Sequence, residues 1–236
     1  MTPSQPSAHS PLLGDATWTQ LSHARGPLPI VLLPLGSCEQ HGPHLPLDTD
    51  TRIACAVADG VASALPQVLV APALGITASG EHQGFAGTLS IGSTALEMVI
   101  IELVRSADWS GGVALINGHG GNLDAIKRAV AVLTAEGRRV TSWWPSIEGA
   151  DAHAGRTETS LMLQIAPHLV RTEALEPGRT DDLRDLLPEL RAGGVASVSP
   201  NGVLGDPTGA NSSEGAALLS KLVSEATTHV AKWRSS

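Results

Sequence analysis

The chain has 236 residues, enough for one large α/β domain, and 42% of them are hydrophobic, which supplies a substantial core. A formal net charge of −8 with no lysine- or arginine-rich run argues against nucleic acid and against an anionic membrane surface, both of which are held through a basic face. Two cysteines outside any CxxC pair make no disulfide framework. The N-terminus has no signal-peptide pattern and no stretch approaches about 18 apolar residues, so the expected compartment is the cytoplasm.

Residues 1 to about 26, rich in Pro and Ser, read as a flexible arm ahead of a single domain over 27–236. PIVLLPL (29–35) is a short apolar run suited to a buried parallel strand. TRIACAVADGVASAL (51–65) has helical spacing, and VLVAPAL (68–74) returns to strand. A helix follows from about Ser93 to Trp109, with Thr94 and Glu97 at capping-box spacing. GVALIN (112–117) is the next strand, residues 122–137 form a helix closed by Gly137, and RRVTSWW (138–144) is a strand again. TETSLMLQIA (157–166) reads as a helix ending before Pro167, residues 192–213 as a long loop, and 212–234 as a final helix. With one Phe and no Tyr, the core must come from Ala, Val, Leu and Ile. The alternation predicts a three-layer α/β sandwich, a mainly parallel central sheet flanked by helices.

Ligands of such sheets gather beyond the carboxyl ends of the strands. Three polar motifs follow strands there: GSCEQHGPHLPLDTD (36–50), NGHGGN (117–122) and GADAHAGRTETS (149–160). Glu39 and His41, two residues apart in an extended segment, point the same way. Asp50 stands at a helix start, His119 on a glycine-lined turn, and Glu158 at another helix start. Three carboxylates and two imidazoles suit divalent Zn, Fe or Mn, and five ligands fit two ions with Asp50 as the bridge. His153 is a candidate proton donor to a leaving amine, and Glu158 is counted with it as catalytic. His44 and Asp48 are candidates for orienting the ligands, and the loop 78–88 for lining the pocket. Singly, each residue has a plain structural alternative: Asp50 as a helix cap, His119 as a turn residue, Glu158 as a first-turn carboxylate. Cys38 directly precedes Glu39, whose charge opposes a thiolate nucleophile. GHGG lacks the spacing of a dinucleotide fingerprint.

These three motifs together resemble the creatininase family of metal-dependent amidohydrolases, over roughly residues 28–230. The resemblance implies a creatininase-like sandwich, a homo-oligomer (a hexamer or similar), and a dinuclear site on which Glu39, His41, Asp50 and His119 match the family's ligand positions. One position departs. Creatininase has a Glu two residues after the histidine of its NGH motif, where this chain has Gly121, so the fifth ligand falls to Glu158. ASGEHQGFAGT, HAGRTETS and GVLGDPT resemble a branch of the family that hydrolyses a modified precursor peptide during cofactor biosynthesis, releasing a cross-linked Val-Tyr-derived C-terminal dipeptide. That branch is associated with Fe(2+), with or without Zn(2+). Two other expectations remain open: a small-molecule amidohydrolase or deformylase of the same family, and a metal-binding protein without catalysis.

Overall fold

Four parallel strands lie in the order β2-β1-β3-β4: β1 Ile30–Leu35, β2 Val68–Val70, β3 Gly112–Asn117 and β4 Val140–Trp143. The structure, a computed structural model, describes residues 11–22 and 26–236. Its helices, in chain order, are α1 Trp18–Ser22, α2 Thr49–Ala64, α3 Gly92–Ser106, α4 Leu123–Ala135, α5 Arg156–Ile165, α6 Leu183–Gly193, α7 Val195–Val198 and α8 Ser212–Arg234. The arm expected over residues 1–26 falls partly outside the described residues. Within them, Val70 donates a backbone hydrogen bond to Pro11 at the β2 edge.

Alternation along the strands sorts the core into two layers. Ile30, Leu32, Ala114 and Ile116 face one way and pack with α2, α5 and α8, through Val57, Met162 and Leu222. Val31, Leu33, Leu35 and Leu115 face the other way and meet α3 and α4, through Leu96, Ile100 and Leu133. The three-layer sandwich expected from the alternating pattern is the observed architecture. Pro34 is tolerated in the central strand β1 because its missing donor faces the side where β2 has already ended.

Several boundaries differ from the sequence reading, each for a local reason. The strand expected over 68–74 stops at Val70, because Pro72 interrupts it, and the pairing continues through the N–H groups of Ala71 and Leu74 and through Gly36 N–H, which donates to Leu74 O. Helix α3 ends at Ser106 and lacks the Thr94/Glu97 capping box. Glu97 instead pairs with Arg128 of α4 at 2.6 Å, and the Ser90 hydroxyl accepts from the Gly92 N–H. The stretch read as a loop over 192–213 carries α7, and α6 lies in a stretch with no assignment from sequence. Pro188 inside α6 hides its helical pattern. Gly137 does close α4: it has φ +77°, and its N–H donates to Thr134 O.

Helix α8 is the longest element and is started by Asn211, whose Oδ1 accepts from the Glu214 N–H at 2.9 Å. Asn211→Ala is expected to lower stability by about 1 kcal/mol, the usual worth of such a cap. The check is a shifted denaturant midpoint with an unchanged slope.

Candidate metal centre

All three polar motifs emerge at the carboxyl edge of the sheet, because every strand runs the same way. Residues 36–50 leave β1, residues 118–122 leave β3, and residues 149–160 connect β4 to α5. Their meeting point is Asp50, a buried residue in the first turn of α2. It is not the helix cap, a position held by Asp48 without a side-chain hydrogen bond.

Two glycines allow that meeting. A Cβ on Gly36 would overlap the Thr51 backbone, and one on Gly118 would press on the Asp50 carbonyl. With both positions bare, the start of α2 packs against the ends of β1 and β3. Thr51 Oγ1 then donates to Ser37 O at 2.9 Å, and Ser37 Oγ donates to Asp50 Oδ2 at 2.9 Å.

The Asp50 carboxylate divides its oxygens between two histidines. Oδ1 lies 3.0 Å from His41 Nε2, and Oδ2 lies 3.1 Å from His119 Nδ1. Each imidazole is oriented from behind by a carbonyl: His41 Nδ1 donates to Glu39 O at 3.1 Å, and His119 Nε2 donates to Ala78 O at 2.8 Å. That leaves His41 Nε2 and His119 Nδ1 pointing inward. A carboxylate completes each side. Glu39 Oε1 is 3.2 Å from His119 Nδ1, and Glu158 Oε2 is 3.9 Å from His41 Nε2. The result is two triads sharing one residue, Glu39–Asp50–His119 and His41–Asp50–Glu158, each with its donor atoms within 4.8 Å of one another. A third triad, Glu39–His41–His153, overlaps them. All five residues expected from sequence are therefore neighbours.

The electrostatics of this cluster are those of a cation site. Both oxygens of Glu39 are buried without a hydrogen-bond donor, and leaving a buried carboxylate so placed is costly. Burial pushes the Glu39 carboxyl up. Burial opposes charge on Asp50 too, but His41 and His119 hold it well below the usual carboxylate range. The same coupling overcomes burial at His41, carrying it up to about 10, and raises His119 well above the ordinary imidazole range. Without an ion, protons on the two rings must link the three carboxylates. A divalent ion can supply the same link through the inward lone pairs, and nitrogen and oxygen donors suit Zn, Fe or Mn. The donor set fits such an ion.

The remaining candidates separate. His153 is buried, held neutral by that burial, and close to His41, with ring centroids 4.3 Å apart. Its Nε2 lies 2.8 Å from the Gln40 carbonyl oxygen. Glu158 accepts from the Ala154 N–H at 2.6 Å, and burial pushes its carboxyl up to about 7. Its side chain is still 24% exposed, so the cluster opens on this side. His44 packs away from the centre against Thr159 Oγ1 at 2.9 Å, and Asp48 pairs with Arg52 on the surface. Cys38 reaches only toward the Gly87 carbonyl, 3.7 Å away.

Sequence reading missed His82 and Gln40. His82 Nε2 lies 3.4 Å from Glu39 Oε1, and burial drives its ring down to about 3. Gln40 Nε2 donates to Gly202 O at 3.0 Å and stands 2.9 Å from His82 Nδ1, so one amide braces the imidazole behind Glu39. The only sequence signal for His82 was its place in the loop 78–88, expected to line the pocket. Two adjoining cavities of about 340 and 700 Å³ share Trp144, His153 and Leu183 and reach the cluster from the Glu158 and Glu39 sides.

Gly36→Ala is expected to displace the first turn of α2. The variant should lose about 2–4 kcal/mol of stability, as overpacking against backbone does. Ion retention, measured by elemental analysis after desalting, should fall with it; unchanged values of both would contradict the close approach described here.

Comparison with known proteins agrees with this fold. The family model described as creatininase, creatinine amidohydrolase, matches residues 14–230. A mycofactocin precursor peptide peptidase of Mycobacterium tuberculosis is 50% identical, with 94% of this chain and 91% of that protein covered. The protein of the same name from Mycobacterium ulcerans is 48% identical, over 94% and 93%. A creatinine amidohydrolase of Pseudomonas putida is 29% identical over 68% of this chain and 74% of its own. Among solved structures, a creatinine amidohydrolase (creatininase) superposes with a TM-score of 0.77 at 25% identity, covering 94% of this chain and 97% of that one.

Proposed function

The chain belongs to the creatininase family, and from that premise we propose that it is a metal-dependent peptidase acting on a mycofactocin precursor peptide. The bond it cleaves releases the modified, Val-Tyr-derived dipeptide from the peptide's C-terminus. The single observation that carries the hydrolytic reading is the pair of triads sharing Asp50 beside a cavity of about 700 Å³. The peptide substrate rests on relatives about half identical over nearly the whole chain.

We assign Glu39, His41, Asp50, His119 and Glu158 as the ligands of two divalent ions, with Fe(2+) and Zn(2+) both compatible with an all-nitrogen-and-oxygen donor set. Bound there, the ions supply a Lewis acid that polarises the scissile carbonyl and lowers the pKa of a water. The protein's own groups do the rest. Asp50 fixes the spacing of the two triads, since its oxygens face different histidines. His153, kept neutral, would take the proton that the attacking water gives up, at Nδ1, the nitrogen not facing the Gln40 carbonyl, and return it to the departing nitrogen. Glu158, at about 7, moves a proton at Oε2 or grips an ion according to its protonation state. The opening of the cluster to the cavity through Glu158 supports catalysis over a closed, purely structural metal shell.

The resemblance to creatininases also supports a homo-oligomer. Leu89, Ile91 and Met98 offer exposed apolar side chains on and just before α3, of which Met98 is 53% exposed. Among the described residues no helix is long and apolar enough to cross a membrane.

Two measurements test the reading. The purified protein, incubated with the modified precursor peptide, should release a dipeptide detectable by mass spectrometry. Inertness toward the peptide alongside turnover of a small cyclic amide would transfer the activity to a small-molecule amidohydrolase. Asp50→Asn and His119→Ala should each lower bound metal and reduce turnover by about a thousandfold or more, because each removes charge or a ligand from the shared centre. Full metal content with full turnover in either variant would sink the ligand assignment.

A further inference from the structure

Gln40 stands between two of the proposed ligands, Glu39 and His41, and is buried with its amide among backbone groups and imidazoles. The backbone groups decide which end of that amide is which. Oε1 accepts from the Gly42 N–H at 2.8 Å, and Nε2 donates to Gly202 O at 3.0 Å. Gly202 opens the GVLGDPT motif, has φ +80°, and leaves no room for a Cβ, which would overlap the Gln40 amide. The motif closes on Gln40 because its first residue is a glycine.

Two histidines complete the surroundings. Gln40 Nε2 lies 2.9 Å from His82 Nδ1 and 3.0 Å from His153 Nε2. The amide has two hydrogens and Gly202 O takes one, so only one of these ring nitrogens can accept the other. His153 Nε2 is not the acceptor. It lies 2.8 Å from the Gln40 backbone carbonyl, which can only accept, so that ring carries its hydrogen on Nε2. His82 Nδ1 is therefore the acceptor, and the neutral His82 ring has its hydrogen on Nε2, the nitrogen 3.4 Å from Glu39 Oε1. Burial, which favours the uncharged ring, acts in the same sense.

His119 shows why Glu39 needs that hydrogen. Its Nε2 donates to Ala78 O, so its Nδ1 offers an ion a lone pair and has no hydrogen left for Glu39. With an ion bound, His82 Nε2–H is the imidazole donor that remains beside the Glu39 carboxylate.

We propose that Gln40 and His82 are positioning residues of the metal centre: the Gln40 amide selects the His82 tautomer whose Nε2–H hydrogen-bonds Glu39, and the Gln40 carbonyl selects the His153 tautomer whose Nδ1 is free to accept. This rests on the ligand assignment above and adds the groups that hold those ligands in order. One residue sets opposite roles for two neighbouring rings, whose centroids are 4.5 Å apart: His82 gives a hydrogen and His153 receives one. A ligating carboxylate is held in orientation by such a donor, and loss of the donor weakens ion binding by about 10–100-fold.

Two measurements test this without turnover. Zinc affinity, from competition with a chromophoric chelator, should fall by about 10–100-fold in His82→Leu and stay within about threefold of the wild type in His82→Gln, whose amide N–H can replace Nε2–H. Gln40→Met, which leaves the His82 tautomer unselected, should fall between them. Neutron diffraction from crystals of the zinc-loaded protein should show deuterium on Nε2 of both His82 and His153, with His82 Nε2 within about 3.2 Å of Glu39. Deuterium on His82 Nδ1, or equal losses of affinity in His82→Leu and His82→Gln, would overturn the proposal. So would wild-type affinity in His82→Leu where Asp50→Asn binds zinc weakly. Wild-type affinity in both His82→Leu and Asp50→Asn would overturn the ligand assignment, and the positioning role with it.

Discussion

The carboxylate of Asp50, buried at the first turn of α2, reaches one histidine with each oxygen, and most of the site's construction serves that contact. A buried carboxylate costs several kcal/mol unless its lone pairs are met. Here two imidazoles and the Ser37 hydroxyl meet them. The condition is geometric: a helix start has to lie against two strand ends. Gly36 and Gly118 remove the side chains that would hold them apart, and Thr51 and Ser37 exchange hydrogen bonds across the joint. The glycines next to the motif residues are therefore as much part of the site as the ligating side chains.

Around that contact the two triads are unequal. Glu39 is fully buried and backed by His82 and Gln40, whereas Glu158 looks into the cavity. Burial acts differently on the two carboxylates as a result. Glu39 has only the imidazoles of His119 and His82 near its oxygens, and a cation would satisfy it better. Glu158 sits near neutrality with one backbone donor and can exchange roles between ligand and proton carrier. The proposed chemistry uses both openings, the smaller cavity beside Glu158 and the larger one beside Glu39.

Much of this was legible in the sequence. Strand–helix alternation identified the sheet, and a parallel sheet forces its loops to share an edge, which is why Glu39, His41, Asp50, His119 and Glu158 could be grouped before any coordinates. What stayed hidden depended on packing. His82 looks like one polar residue in a Gly-rich loop, and only its burial against Glu39 sets it apart. For Asp50, read as a bridging ligand, the alternative of a helix cap stayed open, since spacing alone cannot tell the residue that starts a helix from the one two places on. Helix α6 was invisible because Pro188 interrupts its pattern, although its Leu183–Leu187–Arg191 face borders the cavity.

Gly121 is where this chain departs from the creatininase pattern, and its surroundings explain the departure. A Cβ at this position would overlap Glu81, His119 Nε2 and the Ala78 carbonyl oxygen. Those groups form a layer behind His119: Nε2 donates to Ala78 O, and Glu81 Oε1 lies 3.5 Å from the same nitrogen. The volume that a glutamate at 121 would need is thus taken by contacts that fix the His119 ring, and the fifth proposed ligand, the third carboxylate, has to arrive from elsewhere. Glu158 arrives on α5, across the cluster and next to His41. Moving the carboxylate to α5 leaves the bare Gly120–Gly121 turn on the wall of the larger cavity, facing the side that α6 lines. With glycines at 120 and 121, the NGH turn and α6 both line that cavity.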